Sequence, residues 1–486
     1  MTFNSWDFLI FYPIVASLYF ILPKRMKWPM LLVASYYFYA FYQAELLFLI
    51  ILTTAVSFFM SHLIERTENR THKKLYLALT LTVCLGVLFF YKYFNFLSDS
   101  VVDALKAFGI GADPFNLDLI LPVGISFYTF QTLSYVIDVY KGEVKTERNF
   151  FFYALYVVYF PQLVAGPIER PNNLIPQLHA HHKPTWENTR NGLRKMLIGF
   201  FKKVVVADLL ATYVNAVYND AANATGLGVV IATVLFAVQI YCDFAGYTDI
   251  AIGCAEIMGI KLMQNFNRPY ISESIPEFWR RWHISLSSWF KDYIYFPLGG
   301  SRCALWKNLR NIMIVFMVSG LWHGAAWTFV IWGALHGMYQ VVGKLIKPVH
   351  GKLLDALHIR RDLKGFKLLR QFNTFVLVCF AWIFFRANSM GDAMILIKKL
   401  FTDWSLSDAY INNTIDHMGL TLIAVLISIL SVYIMNRMDI NQLRLGHDGD
   451  GAVPVFRYAY VIWIIAIAWL LLLVGDGAST FIYFQF

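Results

Sequence analysis

Residues 311–342 read NIMIVFMVSGLWHGAAWTFVIWGALHGMYQVV and carry no formally charged side chain. In their middle stands Leu321-Trp322-His323-Gly324, a histidine inside what otherwise reads as lipid-embedded helix. An ionisable group at that depth is costly and by default points to function. Basic residues flank the stretch on both sides, Lys307 and Arg310 before it, Lys344 and Lys347 after it. Both ends therefore belong inside, and the segment goes in and comes back with its apex at SGLWHGAAW. That sets His323 deep, at or beyond the mid-membrane, within reach of the outer side. A neutral imidazole can act there as a general base towards a hydroxyl without a metal. Gly320 and Gly324 allow close backbone approach. The competing reading is a core histidine bonded to a neighbouring carbonyl. His336, in GALHG, falls near the inner end of the return limb and reads as helix packing or headgroup contact.

The composition agrees with a membrane setting. The 486 residues are 58% hydrophobic, 17% aromatic and only 15% charged, with a mean hydropathy of +0.53. Soluble domains carry roughly 25% charged residues, so the chain reads as an all-α polytopic membrane protein. Net charge is +10. The lysines and arginines sit in short loops between apolar runs, so the charge reads as topology and nucleic acid is not an expected partner. The 5 cysteines are scattered, mostly within apolar runs, without CxxC spacing, so neither a disulfide framework nor a metal site is expected. No cleavable signal peptide is expected. The first basic cluster (Lys24, Arg25, Lys27) follows the first apolar run and places the N-terminus outside.

Apolar runs follow at 8–22, 29–64 (interrupted at Gln43–Glu45), 75–97, 119–140, 204–218, 229–258, 374–385, 420–434 and 458–474. Residues 150–168 lie between two basic regions but are too short to cross ~30 Å twice at ~1.5 Å per residue. With Pro161, Gly166 and Pro167 they read as a re-entrant or interfacial piece, buried in protein or lining a cavity. The 229–258 run, long enough to bend at Gly246 and Gly253, contains Asp243, Asp249 and Glu256. These form either a proton or cation relay or a set of ion pairs to the neighbouring basic loop. Residues 261–310 are the largest inner segment, an amphipathic, aromatic-rich piece expected to lie at the interface. Alternation of basic and acidic loops gives about ten full crossings plus one hairpin and the re-entrant piece, with the C-terminus outside.

Two further clusters could carry chemistry. Trp279, Arg280, Arg281, Trp282 and His283 read either as membrane anchors at the inner interface or as an entry for an anionic cosubstrate, since the arginine fork suits phosphate. The tail FIYFQF, within residues 475–486, reads either as a surface anchor or as a tether that returns Tyr483 to an outer cavity as a relay nucleophile.

Four stretches taken together resemble a known family. They are LPVGISFYTFQTLSYVIDVYKG (121–142), FPQLVAGPIERP (160–171), NFNRPYISESIPEFWRRWHISLSSWFKDYIYFPLGG (265–300) and SGLWHGAAWTFVIWGALHG (319–337). They resemble the membrane-bound O-acyltransferases, most of all the bacterial branch serving alginate and peptidoglycan O-acetylation, over nearly the whole chain.

The resemblance implies a single membrane domain over 1–486 with about ten to twelve membrane helices. Re-entrant and interfacial helices would surround a central tunnel lined by Trp322, Gly324 and Trp327. It puts the catalytic histidine at His323 and a second polar position at His283, with Trp279, Arg280, Arg281 and Trp282 on the donor side. It implies acetyl-CoA as donor substrate, no bound cofactor, and an SGNH/GDSL-type esterase partner outside the membrane. Tyr483 becomes a possible acyl relay, because a related D-alanylation system uses a short aromatic C-terminal motif. The setting implied is the bacterial cytoplasmic membrane. A transporter or flippase without bond chemistry is the competing class, and the carboxylates of 229–258 are its best support. Transporters commonly show internal repeats, and this sequence has none.

Overall fold

The computed structural model describes residues 1–358 and 360–447, and the expectations for the 458–474 span, the 475–486 tail and Tyr483 lie outside them. Among the described residues six helices are long and apolar enough to cross a membrane: Ala44–Arg66, Arg70–Lys92, Gly226–Ile257, Trp327–Val349, Lys364–Arg386 and Leu422–Ile440. Many of their large apolar side chains face outward. On the last of them Leu422, Ile423, Leu426, Ile429 and Leu430 are all exposed, as expected where the solvent is hydrocarbon. The chain divides into two compact units, residues 1–196 with 247–264, and residues 197–246 with 265 onward.

In the first unit α1 is Trp6–Ile21, α2 Lys24–Gln43 and α3 Leu47–Arg66, the last two separated by a tight turn at Ala44–Leu46. The polar interruption in 29–64 thus marks a helix break. Lys24 and Arg25, expected in a loop, open α2 instead. The α3 hydroxyls of Thr53, Ser57 and Ser61 are buried and bond back one turn, Ser57 Oγ to the Thr53 carbonyl at 2.8 Å. Helices α4 (Arg70–Lys92), α5 (Phe94–Ala107) and α6 (Ile125–Lys141) follow. Left-handed Gly124 (φ 75) precedes α6. A Cβ there would stand 2.7 Å from the Leu163 carbonyl oxygen, so glycine is needed for both reasons.

The 150–168 stretch behaves as expected of a broken segment. Helix α7 (Phe150–Val158) ends at Tyr159 and a single turn, α8 (Phe160–Leu163), follows, with residues 152–168 buried throughout. Side chains supply the bonds the broken helix lacks. Gln131 and Gln162 amides both donate to the Tyr156 carbonyl, at 2.6 and 2.9 Å, and Ser35 Oγ accepts from the Phe160 amide at 3.1 Å. Such compensation is what lets irregular backbone persist away from water. Helix α9 (Pro171–His179) and α10 (Trp186–Phe200) complete the run. Within this unit Gly192 lies against Gly253, where a Cβ would come within 2.6 Å of the Gly253 carbonyl oxygen. Gly253 therefore serves close helix contact, not the bend expected there.

In the second unit a π-helical stretch, Phe201–Ala207, leads into α11 (Asp208–Tyr218); of α12, Gly226–Ile257, residues 226–246 belong to this unit and the rest to the first. Lys202 and Lys203, expected in a basic inner loop, are instead buried in that helical run. Lys202 pairs with Asp439 at 2.7 Å, and Lys203 with Asp208 at 2.9 Å and Asp243 at 2.7 Å. Gly246 lies against Gly199, a Cβ there coming within 2.7 Å of its carbonyl oxygen. Short helices α13 (Ile275–Arg281) and α14 (Ile284–Phe290) precede the pair α15 (Leu305–His323) and α16 (Trp327–Ala356). Helices α17 (Lys364–Arg386), α18 (Met390–Thr402), α19 (Asp408–Met418) and α20 (Leu422–His447) close the described chain.

Candidate active site

Helices α15 and α16 form the hairpin read from 311–342, turning at Gly324–Ala326, with His323 as the last residue of the first limb. The limbs extend further than the uncharged stretch suggests, so Lys344, Lys347 and Lys352 lie on α16 rather than in a loop. Glycines hold the limbs together. A Cβ on Gly320 would overlap the Phe329 carbonyl, and one on Gly333 the Phe316 carbonyl and, at 3.1 Å, the Gly320 Cα. A Cβ on Gly324 would collide with the Phe329 ring.

His323 is buried among aromatic rings. Trp322 lies 5.0 Å away centroid to centroid, Trp332 at 4.9 Å and Phe385 at 5.4 Å, all edge-on to the imidazole. Two more histidines adjoin the same rings. His283 sits 5.9 Å from Trp322, and His336 lies 5.1 Å from Trp332. Both are fully buried. His336 is thus a core residue and does not meet headgroups.

His283 joins α13 to α14 with a left-handed backbone, φ 44, rare for a residue with a side chain. Asn265 holds it there. The Asn265 side-chain oxygen accepts from the Ser285 amide (3.2 Å) and hydroxyl (2.9 Å) and stands 3.1 Å from His283 Nδ1. An oxygen already receiving donors makes Nδ1 a donor too, leaving Nε2 as the basic nitrogen of the neutral ring. Burial lowers this imidazole to about 3, so it stays neutral in the physiological range. Strain and a dedicated hydrogen-bond partner are marks of a functional position. Asn265, distant in sequence and chemically plain, gave no signal of this role.

The WRRWH cluster is only partly at the surface. Trp279 and Trp282 are buried in the aromatic core, so these two tryptophans are not surface anchors. The irregular spacing of its aromatics reflects two short helices, each burying one face. Arg281 is committed to Glu277 at 2.9 Å. Arg280 is exposed. Trp327, at the start of α16, is 55% exposed.

Two of the three carboxylates of α12 find cations within their own units: Asp243 meets Lys203, and Glu256 meets Lys195, each at 2.7 Å. For these two, the ion-pair reading holds rather than the relay. Among the described residues no group of three or more histidines, cysteines or carboxylates is placed to hold a metal.

The sequence profile of the MBOAT, or membrane-bound O-acyltransferase, family fits residues 37–353. The chain belongs to the membrane-bound O-acyltransferase family. This acyltransferase is similar to an Azotobacter vinelandii protein named "Probable alginate O-acetylase", 39% identical over 413 residues, 84% of this chain and 80% of that one. It is also similar to the "Peptidoglycan O-acetyltransferase" of Helicobacter pylori, 34% identical over 432 residues, 82% of this chain and 80% of the relative. A "Teichoic acid D-alanyltransferase" of Bacillus subtilis is 32% identical over 235 residues, 46% of this chain and 58% of that one. The protein is a multi-pass membrane enzyme, an O-acyltransferase.

Proposed function

We propose that this acyltransferase moves an acetyl group from cytosolic acetyl-CoA across the membrane for O-acetylation of a cell-surface or exported polysaccharide. An SGNH-type partner outside would complete the transfer. The observation that carries the reading is His323, enclosed by aromatic rings at the apex of a membrane hairpin. The relatives named for alginate and peptidoglycan O-acetylation supply the chemistry.

His323 takes the proton of an acceptor hydroxyl, and the resulting oxygen nucleophile attacks the thioester carbonyl. A C–O bond forms, the C–S bond breaks, and the imidazolium returns its proton to the departing thiolate. Enclosure excludes water and so suppresses hydrolysis of the thioester. Tyr483 is the candidate acceptor on this chain. Exposed Arg280 is the candidate contact for the donor's phosphates. A central tunnel, about ten to twelve membrane helices, a bacterial inner-membrane setting and both termini outside belong to the same proposal.

The test is acetyl transfer from labelled acetyl-CoA by purified protein in vesicles, with mass spectrometry of the tail. Wild type should release CoA and label Tyr483, and His323→Ala should lose about 10²–10⁴-fold in rate, the usual worth of a general base. Folded His323→Ala protein that still acetylates at the wild-type rate would sink the reading.

A further inference from the structure

Two buried ring N–H groups in this site have no acceptor among the described residues. The first is on His336. Trp279 Nε1 donates to His336 Nδ1 at 3.2 Å, and an indole nitrogen can only donate. His336 Nδ1 is therefore an acceptor, and the neutral ring carries its proton on Nε2. That Nε2 is sealed and meets no partner. The second is Trp332 Nε1, equally sealed and equally without a partner. Both residues are fully buried.

They are placed together by the helix that carries them. Trp332 and His336 stand four residues apart on α16, hence on one face, and their rings lie 5.1 Å apart. The Trp332 ring also lies 4.9 Å from His323. Buried donors in native proteins are nearly always satisfied. Two orphans on one helix face, one of them against the His323 ring and the other one turn further along, lack an acceptor, and the reaction brings one: an acyl carbonyl oxygen, which gains negative charge as the hydroxyl attacks.

We propose that His336 Nε2–H, with Trp332 Nε1–H, receives the carbonyl oxygen of the acyl group during transfer, and that Trp279 is a positioning residue fixing the His336 tautomer. This rests on the acyl-transfer reading above. The donors stabilise the tetrahedral oxyanion formed when the hydroxyl oxygen bonds to the carbonyl carbon. They release it as the C–S bond breaks and the carbonyl re-forms, and neither gives up its proton. Fixed donors in a dry site need no reorganisation as charge develops.

The experiment compares purified wild type with His336→Phe, His336→Gln and Trp332→Phe. It measures acetyl transfer and the binding of two unreactive analogues: the ketone isostere of acetyl-CoA with methylene in place of sulfur, and S-ethyl-CoA, which lacks the carbonyl. His336→Phe should lower kcat by roughly 10²–10³-fold, the worth of one oxyanion donor, and raise KM for acetyl-CoA by a much smaller factor. His336→Gln, which keeps a donor, should recover part of the loss. Wild type should bind the ketone more tightly than S-ethyl-CoA, and His336→Phe should erase that preference. A folded His336→Phe protein with wild-type kcat and an intact preference would overturn the proposal. Should His336→Phe fail to fold, wild-type kcat and preference in Trp332→Phe would overturn it equally. If wild type transfers no acetyl and binds neither analogue, the acyl-transfer reading itself falls and takes this one with it.

Discussion

Glu169 shows how a single side chain can tie stability to pH. Its carboxyl is fully buried beside the 150–168 segment, accepting from the Met263 amide and from Asn173 Nδ2 at 2.6 Å. Burial outweighs these donors and raises it to about 7 from an ordinary 4.5. A carboxyl that binds its proton more tightly in the folded state favours folding at low pH. Its contribution falls as pH rises from 4.5 through about 7, by up to about 3 kcal/mol. Thermal melts of detergent-solubilised wild type should therefore fall between pH 5 and 8, and Glu169→Gln should flatten that dependence. Parallel curves for the two proteins would refute the assignment. At this scale the sequence made His323 conspicuous because a histidine in an apolar run is rare. Glu169, Asn265 and His336 were hidden, because their roles depend on burial and on partners far along the chain. The packing read for His336 is observed, but only the indole of Trp279, fifty-seven residues earlier, reveals which of its nitrogens carries the proton.

The α15–α16 hairpin was legible as an element because uncharged sequence between basic flanks permits few alternatives. Its register was not, since glycine spacing alone does not say which backbone a glycine faces. The observed pairing makes a contrast on one helix. A Cβ at Gly333 meets the Phe316 carbonyl, whereas one at Gly343 meets nothing within 4 Å. Gly333→Ala should destabilise the protein by roughly 1–3 kcal/mol through overpacking. Gly343→Ala should be neutral or stabilising by about 0.5–1 kcal/mol, the helix-interior value. Equal melting shifts for the two variants would refute this packing. A second element-level outcome concerns Lys203. Replacing it with Met leaves Asp208 and Asp243 buried together and should cost about 3–5 kcal/mol, with Asp243→Asn restoring part of it. Composition could not foresee this pair, because a lysine next to an apolar run reads as loop until its carboxylates are located.

For the whole molecule, composition showed the membrane class, whereas it could not tell an exposed tryptophan from a core one. Trp282 and the exposed Trp306 sit in similarly basic, aromatic surroundings, yet one is sealed and the other 60% exposed. The difference lies in which neighbours the fold supplies. Sidedness itself is open to direct measurement, because four of the five cysteines are buried and Cys303 is half-buried. In a Cys303→Ser background, single cysteines replace exposed Glu68 and exposed Asp113. Glu68 stands in a basic loop, which the positive-inside rule assigns to the cytoplasm, and Asp113 in an acidic one assigned outside. A membrane-impermeant maleimide applied to spheroplasts should label Asp113→Cys at once and Glu68→Cys only after permeabilisation. The reverse pattern would invert the molecule. It would put the His323 apex on the inner side, and acetyl-CoA and polysaccharide would then have to enter from faces opposite to those proposed.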